Sequence, residues 1–176
     1  HGKRCFVIGN GPSLRAEDLE KIKDEFSIAS NMIYLIYDKT SWRPNVFTAG
    51  DVGFINTRVK EFSELEPELK LIFSESKLRI PKIKNMVTVK NKSWFKMGKP
   101  PFFSDDITEC IASGGVVTYS NLQVAAFMGF SEIILLGVDH NYSRGYHRDK
   151  NNRLKVGEMI ENEEPNLQNH FTKDYL

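Results

Sequence analysis

Short runs of hydrophobic residues recur along the chain, and glycine or polar residues follow most of them. The clearest runs are residues 4–8 (RCFVI), 46–49 (VFTA) and 133–138 (IILLGV). Continuous apolar runs of this length, rich in β-branched residues, are typical of strands buried inside a parallel sheet. Further candidate strands are residues 26–30, 69–73 and 86–89. The pattern therefore predicts a sheet whose strands are buried on both faces.

Helical patterns alternate with these strands. Residues 14–25 follow Ser13, a residue type that caps helix N-termini, and residues 118–130 form a second pattern rich in Ala, Leu and Gln. A third helix is predicted over residues 54–66, just before Pro67. This alternation predicts a Rossmann-like α/β fold, an open, mostly parallel sheet with helices on both faces.

Two segments do not follow the alternation. Residues 77–101 are basic and mixed in character, which indicates a surface excursion or a lid. The end of the chain is polar, and such a segment is either a solvated tail or a loop that closes over a ligand. We expect a single domain, with a Rossmann-like core over residues 1–146 and a polar loop or lid segment over residues 147–176.

The net charge of the chain bears on which class of partner it binds. The 176 residues include 24 Lys and Arg against 23 Asp and Glu, a net charge of +1. Nucleic-acid binding requires a basic surface that displaces counterions, so this balance argues against a nucleic-acid partner. The sequence leaves open whether the protein forms an oligomer.

Two features of the sequence bear on where in the cell the protein is located. No apolar run approaches the roughly 18 residues of a transmembrane segment. Cys5 and Cys110 lack metal-ligand spacing and are expected to be free thiols in a reducing compartment. We expect a cytoplasmic protein, with the inner face of the membrane as the alternative position. Because the chain opens at His1 rather than Met, we also expect residues beyond its two ends.

A glycine-rich turn directly follows the first predicted strand. Residues 9–14 (GNGPSL) lead from that strand into the first helix. Glycines allow close approach of a phosphate, and free N–H groups at a helix start bind anions. The turn lacks the third glycine of a dinucleotide fingerprint and the Gly-Lys-Ser/Thr of a Walker loop. The predicted nucleotide contacts here are Gly9, Asn10, Gly11 and Ser13; a tight turn without a ligand is the alternative.

A second group of small residues precedes the helix expected near Thr118. Ser113, Gly114 and Gly115 would leave backbone amides free to bind a phosphate or a carboxylate. A hinge is the alternative. Two such loops at one edge of a sheet support each other, because the carboxyl ends of parallel strands converge on one crevice.

Polar side chains are predicted at the same edge. Asn31, Asp51, Asp139 and His140 each come at or just after the end of a candidate strand. Acids in this position bind ribose hydroxyls or a magnesium ion that carries phosphates, so Asp51 and Asp139 are candidate metal ligands. A helix cap or a surface ion pair is the alternative for both acids.

Histidines and tyrosines supply the candidates for proton transfer. None of the four histidines has the spacing of a zinc site. His140 and His170 are candidate general bases, because imidazole titrates near neutral pH. Tyr142 and Tyr146 are candidates either for hydrogen bonds to a phosphate or for packing at the rim of the crevice.

Together these motifs resemble one superfamily. They are the GNGPSL turn, Asn31 after the second strand, Ser113 and Gly114 before a helix, and residues 129–139 (GFSEIILLGVD). From Lys3 to about Tyr146 the chain is similar to a superfamily that contains bacterial CMP-sialic-acid-dependent sialyltransferases and 6-hydroxymethylpterin diphosphokinase-like proteins. Its less characterised members accompany genes for surface polysaccharides and flagellin glycosylation.

The resemblance to the sialyltransferases implies roles for individual residues. Nucleotide contacts would come from Asn10, Ser13 and Asn31. Ser113 and Gly114 would contact the donor's sugar or phosphate, and Asp139 would contact the ribose.

The resemblance also implies catalytic roles. Tyr142 and Tyr146 would stabilise the leaving phosphate, and a late loop would supply the general base, with His170 or Asp174 near that position. Asp51 departs from the sialyltransferase pattern, which has Asn there, and is more typical of the diphosphokinase-like branch. In that branch an acid would help to hold the magnesium that neutralises a triphosphate.

The leading interpretation is therefore a nucleotide-binding transferase. We expect a sialyltransferase-like glycosyltransferase that takes a sugar from a CMP- or NDP-sugar to a glycan or small-molecule acceptor, with no required cofactor. One alternative is Mg-dependent pyrophosphoryl transfer from ATP by a 6-hydroxymethylpterin diphosphokinase-like enzyme. The other is a nucleotide-binding module without catalysis.

Overall fold

Seven strands form the central sheet, and every neighbouring pair is parallel. They are β1 (Arg4–Ile8), β2 (Ser27–Ser30), β3 (Val46–Ala49), β4 (Leu69–Ser74), β5 (Met86–Ser93), β6 (Ile111–Ser113) and β7 (Glu132–Leu136). The computed structural model describes residues 2–50, 52–67, 69–75, 84–93, 102–139, 147–148, 154–155, 170–172 and 174.

The strand order is β6-β5-β4-β3-β2-β1-β7, so β1 lies between β2 and β7. In register, Ile8 of β1 pairs with Ala29 of β2 on one side and with Leu136 of β7 on the other. The direction of strand succession reverses at β1, which makes its carboxyl end a topological switch point. The predicted Rossmann-like parallel sheet is confirmed.

Helical segments cover both faces of the sheet, as predicted. They are α1 (Ala16–Lys21), a 3-10 segment (Asn31–Lys39), α2 (Val52–Thr57), α3 (Val59–Glu64) and α4 (Val117–Phe127). Leu19, Ile55 and Phe62 pack from α1, α2 and α3 into one buried cluster, whereas Val124 and Ala125 of α4 pack into the other. In β1 to β4, neighbouring apolar residues enter opposite clusters, which is why these strands carry apolar side chains on both faces.

The predicted helix boundaries were partly wrong. The first helix begins only at Ala16, its N-cap is Arg15, and no side chain caps it, so Ser13 is not the N-cap. Hydrogen bonds hold residues 11–14 in a turn instead, because the Leu14 amide donates to the carbonyl of Gly11. The predicted helix over residues 54–66 is two short helices, interrupted where Arg58 leaves helical geometry at φ −127°.

Two elements carried no usable sequence signal. β6 has three residues, too few for a periodic pattern. The 3-10 segment begins at Asn31, which was predicted as a nucleotide contact after the second strand and not as the start of a helix. The strand predicted over residues 86–89 is confirmed as the start of β5, which continues to Ser93 into the segment predicted as an excursion. Residues 77–83 and 94–101 of that segment lie outside the described chain.

The described parts of the late segment are few. β8 (His147–Arg148) pairs in antiparallel fashion with β9 (Leu154–Lys155), and residues 170–172 approach the sheet. Both cysteines are buried free thiols, as predicted. Within the described residues, no helix is both long and apolar enough to cross a membrane.

Candidate functional site

A pocket of about 550 Å³ opens at the carboxyl edge of the sheet, beside the switch point. A volume of this size suits a small organic ligand. The described lining residues are Gly9, Asn10, Gly11, Pro12, Ser30, Asn31, Gly50, Phe73, Asn91, Ser113, Gly115, Val116, Val117, Thr118, Tyr119, Ser120, Leu122, Leu135, Gly137, Val138, Asp139 and His170. The structure therefore brings together most of the predicted site residues that it describes.

The glycine turn is held against the end of β7. The Gly9 amide donates to the Leu136 carbonyl at 2.8 Å, and the Gly11 amide donates to the Gly137 carbonyl at 2.8 Å. A Cβ atom on Gly9 would overlap the Gly137 carbonyl, and one on Gly11 would overlap the carboxylate of Asp139. Glycine is thus required at both positions by the packing of the chain itself, a reason that the sequence pattern alone did not reveal.

Asp139 fixes the same turn. Its Oδ2 atom accepts a hydrogen bond from the Ser13 amide at 3.2 Å. The carboxylate lies in the wall of the pocket, whereas the Ser13 side chain is exposed and is not part of the described lining. Ser13 therefore contributes its backbone to the turn, and its predicted contact with a nucleotide remains a prediction.

Two asparagines bring amide oxygens to the pocket. Asn10 Nδ2 donates to the Ser30 carbonyl at 3.0 Å, which ties the end of β1 to the end of β2. The Oδ1 atoms of Asn10 and Asn31 are buried and have no hydrogen-bond partner within the described chain. Asn31 also has a φ of 55°, in the left-handed region that residues other than glycine rarely adopt. Because unpaired buried acceptors are costly, these atoms are suited to bind donors on a ligand.

The N-terminus of α4 also lines the pocket. Gly115 turns the chain with a φ of 85°, and Val116 is an N-cap whose side chain makes no hydrogen bond. Residues 117–120 line the pocket, and the first N–H groups of a helix have no acceptor inside the helix. Gly114 lies directly beneath the Tyr119 ring, where a Cβ atom would collide with that ring. The Tyr119 amide donates to the Val116 carbonyl at 3.2 Å, so the anion site predicted from the small residues before the helix depends on the other amides of the first turn and remains a prediction.

His170 reaches the pocket from the end of the described chain. Its imidazole hydrogen-bonds the backbone of Asn10, and the neighbouring Phe171 amide donates to the Asn10 carbonyl at 3.0 Å. The Phe171 side chain packs against the cluster that contains Leu19. Burial lowers the pKa of His170, an effect that the hydrogen bond to Asn10 partly opposes. The neutral imidazole is thus favoured near neutral pH, as a general base requires.

Asp174, the other candidate base, occupies a different environment. It is exposed, it accepts a hydrogen bond from the Thr172 hydroxyl at 3.3 Å, and it is not among the residues that line the pocket. Of the three candidate bases, His140 lies outside the described chain, and His170 rather than Asp174 lies at the crevice.

Four predicted site residues lie outside the described chain, namely Asp51, His140, Tyr142 and Tyr146. Within the described chain, no group of three His, Cys, Asp or Glu side chains is arranged to hold a metal ion. Sequence reasoning missed Gly50, Phe73, Asn91 and Tyr119. Asn91 was hidden because it belongs to a strand in a segment that resembled a surface loop.

Comparisons with known proteins bear on the family. No curated protein and no solved structure matches the chain. One family model does match, over residues 1–145, and its description is "6-hydroxymethylpterin diphosphokinase MptE-like". That match covers all seven strands of the sheet, the glycine turn and every described lining residue of the pocket except His170. The chain therefore belongs to the MptE-like family of 6-hydroxymethylpterin diphosphokinase-like proteins.

Proposed function

We propose that this protein is a transferase that moves a group from a nucleotide-linked donor to a hydroxyl of an acceptor. The observation that carries the proposal is the position of His170. A half-buried imidazole with a lowered pKa lies over the glycine turn, in the wall of a pocket at the switch point of the sheet. A base in that position can take the proton of an attacking hydroxyl, and the turn and α4 can bind the departing phosphate.

A glycosyl donor is the first candidate. Within the described lining, Asp139 is the one acid, and no lysine or arginine is present. Uncharged amide and hydroxyl groups suit a sugar nucleotide, whose few phosphate charges helix N–H groups can bind. In this reaction the acceptor oxygen bonds to the anomeric carbon, the bond from that carbon to the phosphate oxygen breaks, and His170 receives the hydroxyl proton.

Pyrophosphoryl transfer from ATP is the second candidate, and the family match favours it. Magnesium is held in proteins by one or two carboxylates together with substrate phosphates, and Asp139 offers such a carboxylate at the pocket. Asp139 and the predicted Asp51 would hold the ion, which would neutralise charge on the triphosphate. His170 would serve as the base toward the hydroxymethyl group of the acceptor.

Titration calorimetry with CMP, UDP and ATP plus magnesium tests the proposal and separates the two donors. Tight binding of CMP or UDP without magnesium supports glycosyl transfer, whereas binding of ATP that depends on magnesium supports pyrophosphoryl transfer. Asn10→Ala should weaken the nucleotide that binds by about 1–3 kcal/mol, the scale of a lost buried polar partner. Arg15→Ala, on the exposed start of α1, is the matched control.

Measurements of turnover complete the test of the proposed function. A His170→Gln variant should bind the nucleotide like the wild type and lose turnover. Nucleotide binding that is never followed by turnover of sugar nucleotides or of ATP would favour the module without catalysis. Absence of binding for all three nucleotides would overturn the proposed function.

A further inference from the structure

The pocket continues beyond the glycine turn and His170, beneath the ends of the middle strands. This extension, here called the β3–β5 compartment, is lined by Gly50, Phe73, Asn91, Val117 and Leu122. Gly50 follows β3, Phe73 and Asn91 lie near the ends of β4 and β5, and the other two residues belong to α4. The compartment is therefore separate from the switch point between β1 and β7, although it opens into the same pocket.

One wall of the compartment is apolar. A Cβ atom placed on Gly50 would lie 3.6 Å from Phe73 Cδ2 and 3.9 Å from Val117 Cγ2, so these side chains border the same space. Phe73 is buried and belongs to the core cluster that also contains Val124 and Ala125 of α4. None of the five lining residues carries a charge.

A single unpaired acceptor interrupts this apolar lining. The Oδ1 atom of Asn91 is buried and lacks a hydrogen-bond partner within the described chain. A buried acceptor without a partner costs free energy, which a ligand N–H or O–H can recover. The compartment thus combines one hydrogen-bond acceptor that lacks a donor with a surface that favours an apolar group.

We infer that the β3–β5 compartment holds the group attached to the donor phosphate, and that this group is an uncharged sugar with an N-acylated amino substituent. The amide N–H of the substituent donates to Asn91 Oδ1, and the acyl methyl packs against Phe73 and Val117. A hydroxyl at that position would place a polar atom against the apolar wall, where it would lose water without gaining a partner. This inference rests on the proposed function, in its glycosyl form.

Sugar 1-phosphates test the compartment without requiring the identity of the base. The probes are N-acetylglucosamine 1-phosphate and glucose 1-phosphate, titrated into the protein and followed by NMR. We expect the acetylated sugar to bind roughly 5- to 30-fold more tightly, the effect of one buried methyl and one hydrogen bond.

Two substitutions locate the effect. Gly50→Ala adds a methyl group that makes ordinary van der Waals contacts. The backbone of Gly50 is not left-handed, so the methyl group fills part of the compartment without strain. Asn91→Leu removes the acceptor. Each should abolish the preference for the acetylated sugar over glucose 1-phosphate. Val87→Ala, at a half-exposed position of the same strand as Asn91, is the matched control and should behave like the wild type.

The outcomes separate this inference from the proposed function. Equal affinity for the two sugar phosphates, or a preference that survives both substitutions, overturns the inference while CMP binding still supports a nucleotide site. Binding of 6-hydroxymethylpterin that either substitution weakens would also overturn it, because the compartment would then hold a pterin. If neither nucleotides nor sugar phosphates bind, both the inference and the proposed function are wrong.

Discussion

At the scale of single residues, Asn31 combines a left-handed backbone with an unpaired amide oxygen in the pocket. Asn31→Gly removes the amide and keeps a backbone that glycine adopts freely. We expect nucleotide affinity to fall about 10- to 100-fold, which corresponds to the loss of one buried hydrogen bond. The free energy of unfolding should change by less than about 1 kcal/mol, because relief of strain offsets the added freedom of the unfolded chain. Calorimetry and urea unfolding measure the two quantities.

Asn85 provides the matched control, since its φ of 59° is nearly the same but it lies in an exposed turn before β5. Asn85→Gly should change stability as little as Asn31→Gly and leave nucleotide affinity intact. If both variants bound nucleotide equally well, the Asn31 amide would have no role in the site.

His170, also at the scale of single residues, makes the free energy of unfolding depend on pH. Because burial lowers its pKa from the ordinary 6.5, the unfolded chain binds this proton more readily than the folded chain. Its contribution to stability is therefore complete above the ordinary value and is lost as the pH falls through the lowered pKa. Urea unfolding between about pH 7 and about pH 5 should show a shallower loss for His170→Gln than for the wild type. Identical slopes for the two proteins would contradict the burial of this imidazole.

At the scale of elements, α4 is joined to β6 by one fully buried side chain. Gln123 Oε1 accepts hydrogen bonds from the amides of Ser104 at 3.0 Å and Ala112 at 2.9 Å, and Nε2 donates to the carbonyls of Ala112 and Tyr119. These bonds hold the first turns of α4 beside the end of β6, where both line the pocket.

Gln123→Leu should therefore destabilise the protein by about 3–5 kcal/mol in urea unfolding, because several buried backbone groups lose their partners together. Nucleotide affinity should fall as well, since the anion-binding end of α4 would no longer be held in place. Ala126→Ser, at an exposed position of the same helix, should change stability by less than about 0.5 kcal/mol. A loss below about 1 kcal/mol for Gln123→Leu would show that other contacts hold α4.

At the scale of the whole molecule, the pocket is assembled from segments far apart in the chain, from the turn at Gly9 to His170. A ligand that binds there should stabilise the entire fold. The nucleotide that binds, at 100 times its Kd, should raise the free energy of unfolding by about 2.7 kcal/mol and Tm by about 5–10 °C, as measured by calorimetry. Hydrogen exchange should slow at the ends of β1 and β2 and in the first turn of α4, and should not change at residues 86–89. Protection confined to that distant end of β5 would place the ligand elsewhere.

The accuracy of prediction varied with the environment of each element. β1 and β3 match the predicted boundaries, because strands buried on both faces must be apolar throughout. The start of the first helix was wrong because the bond from the Ser13 amide to Asp139 joins residues 126 positions apart, which no local pattern reveals. Asn91 was missed for the same reason, since only its position in a paired strand brings it to the pocket.

The sequence by itself determined the class of fold, the position of the glycine turn and the polar residues at the ends of the strands, because local chain geometry and two-sided burial constrain those residues directly. Only the tertiary structure decided why Gly9 and Gly11 are glycines, that His170 rather than Asp174 lies at the crevice, and that Phe73 and Asn91 line the same pocket. Those features depend on contacts between segments that strand order brings together, and hydrophobic periodicity carries no information about strand order.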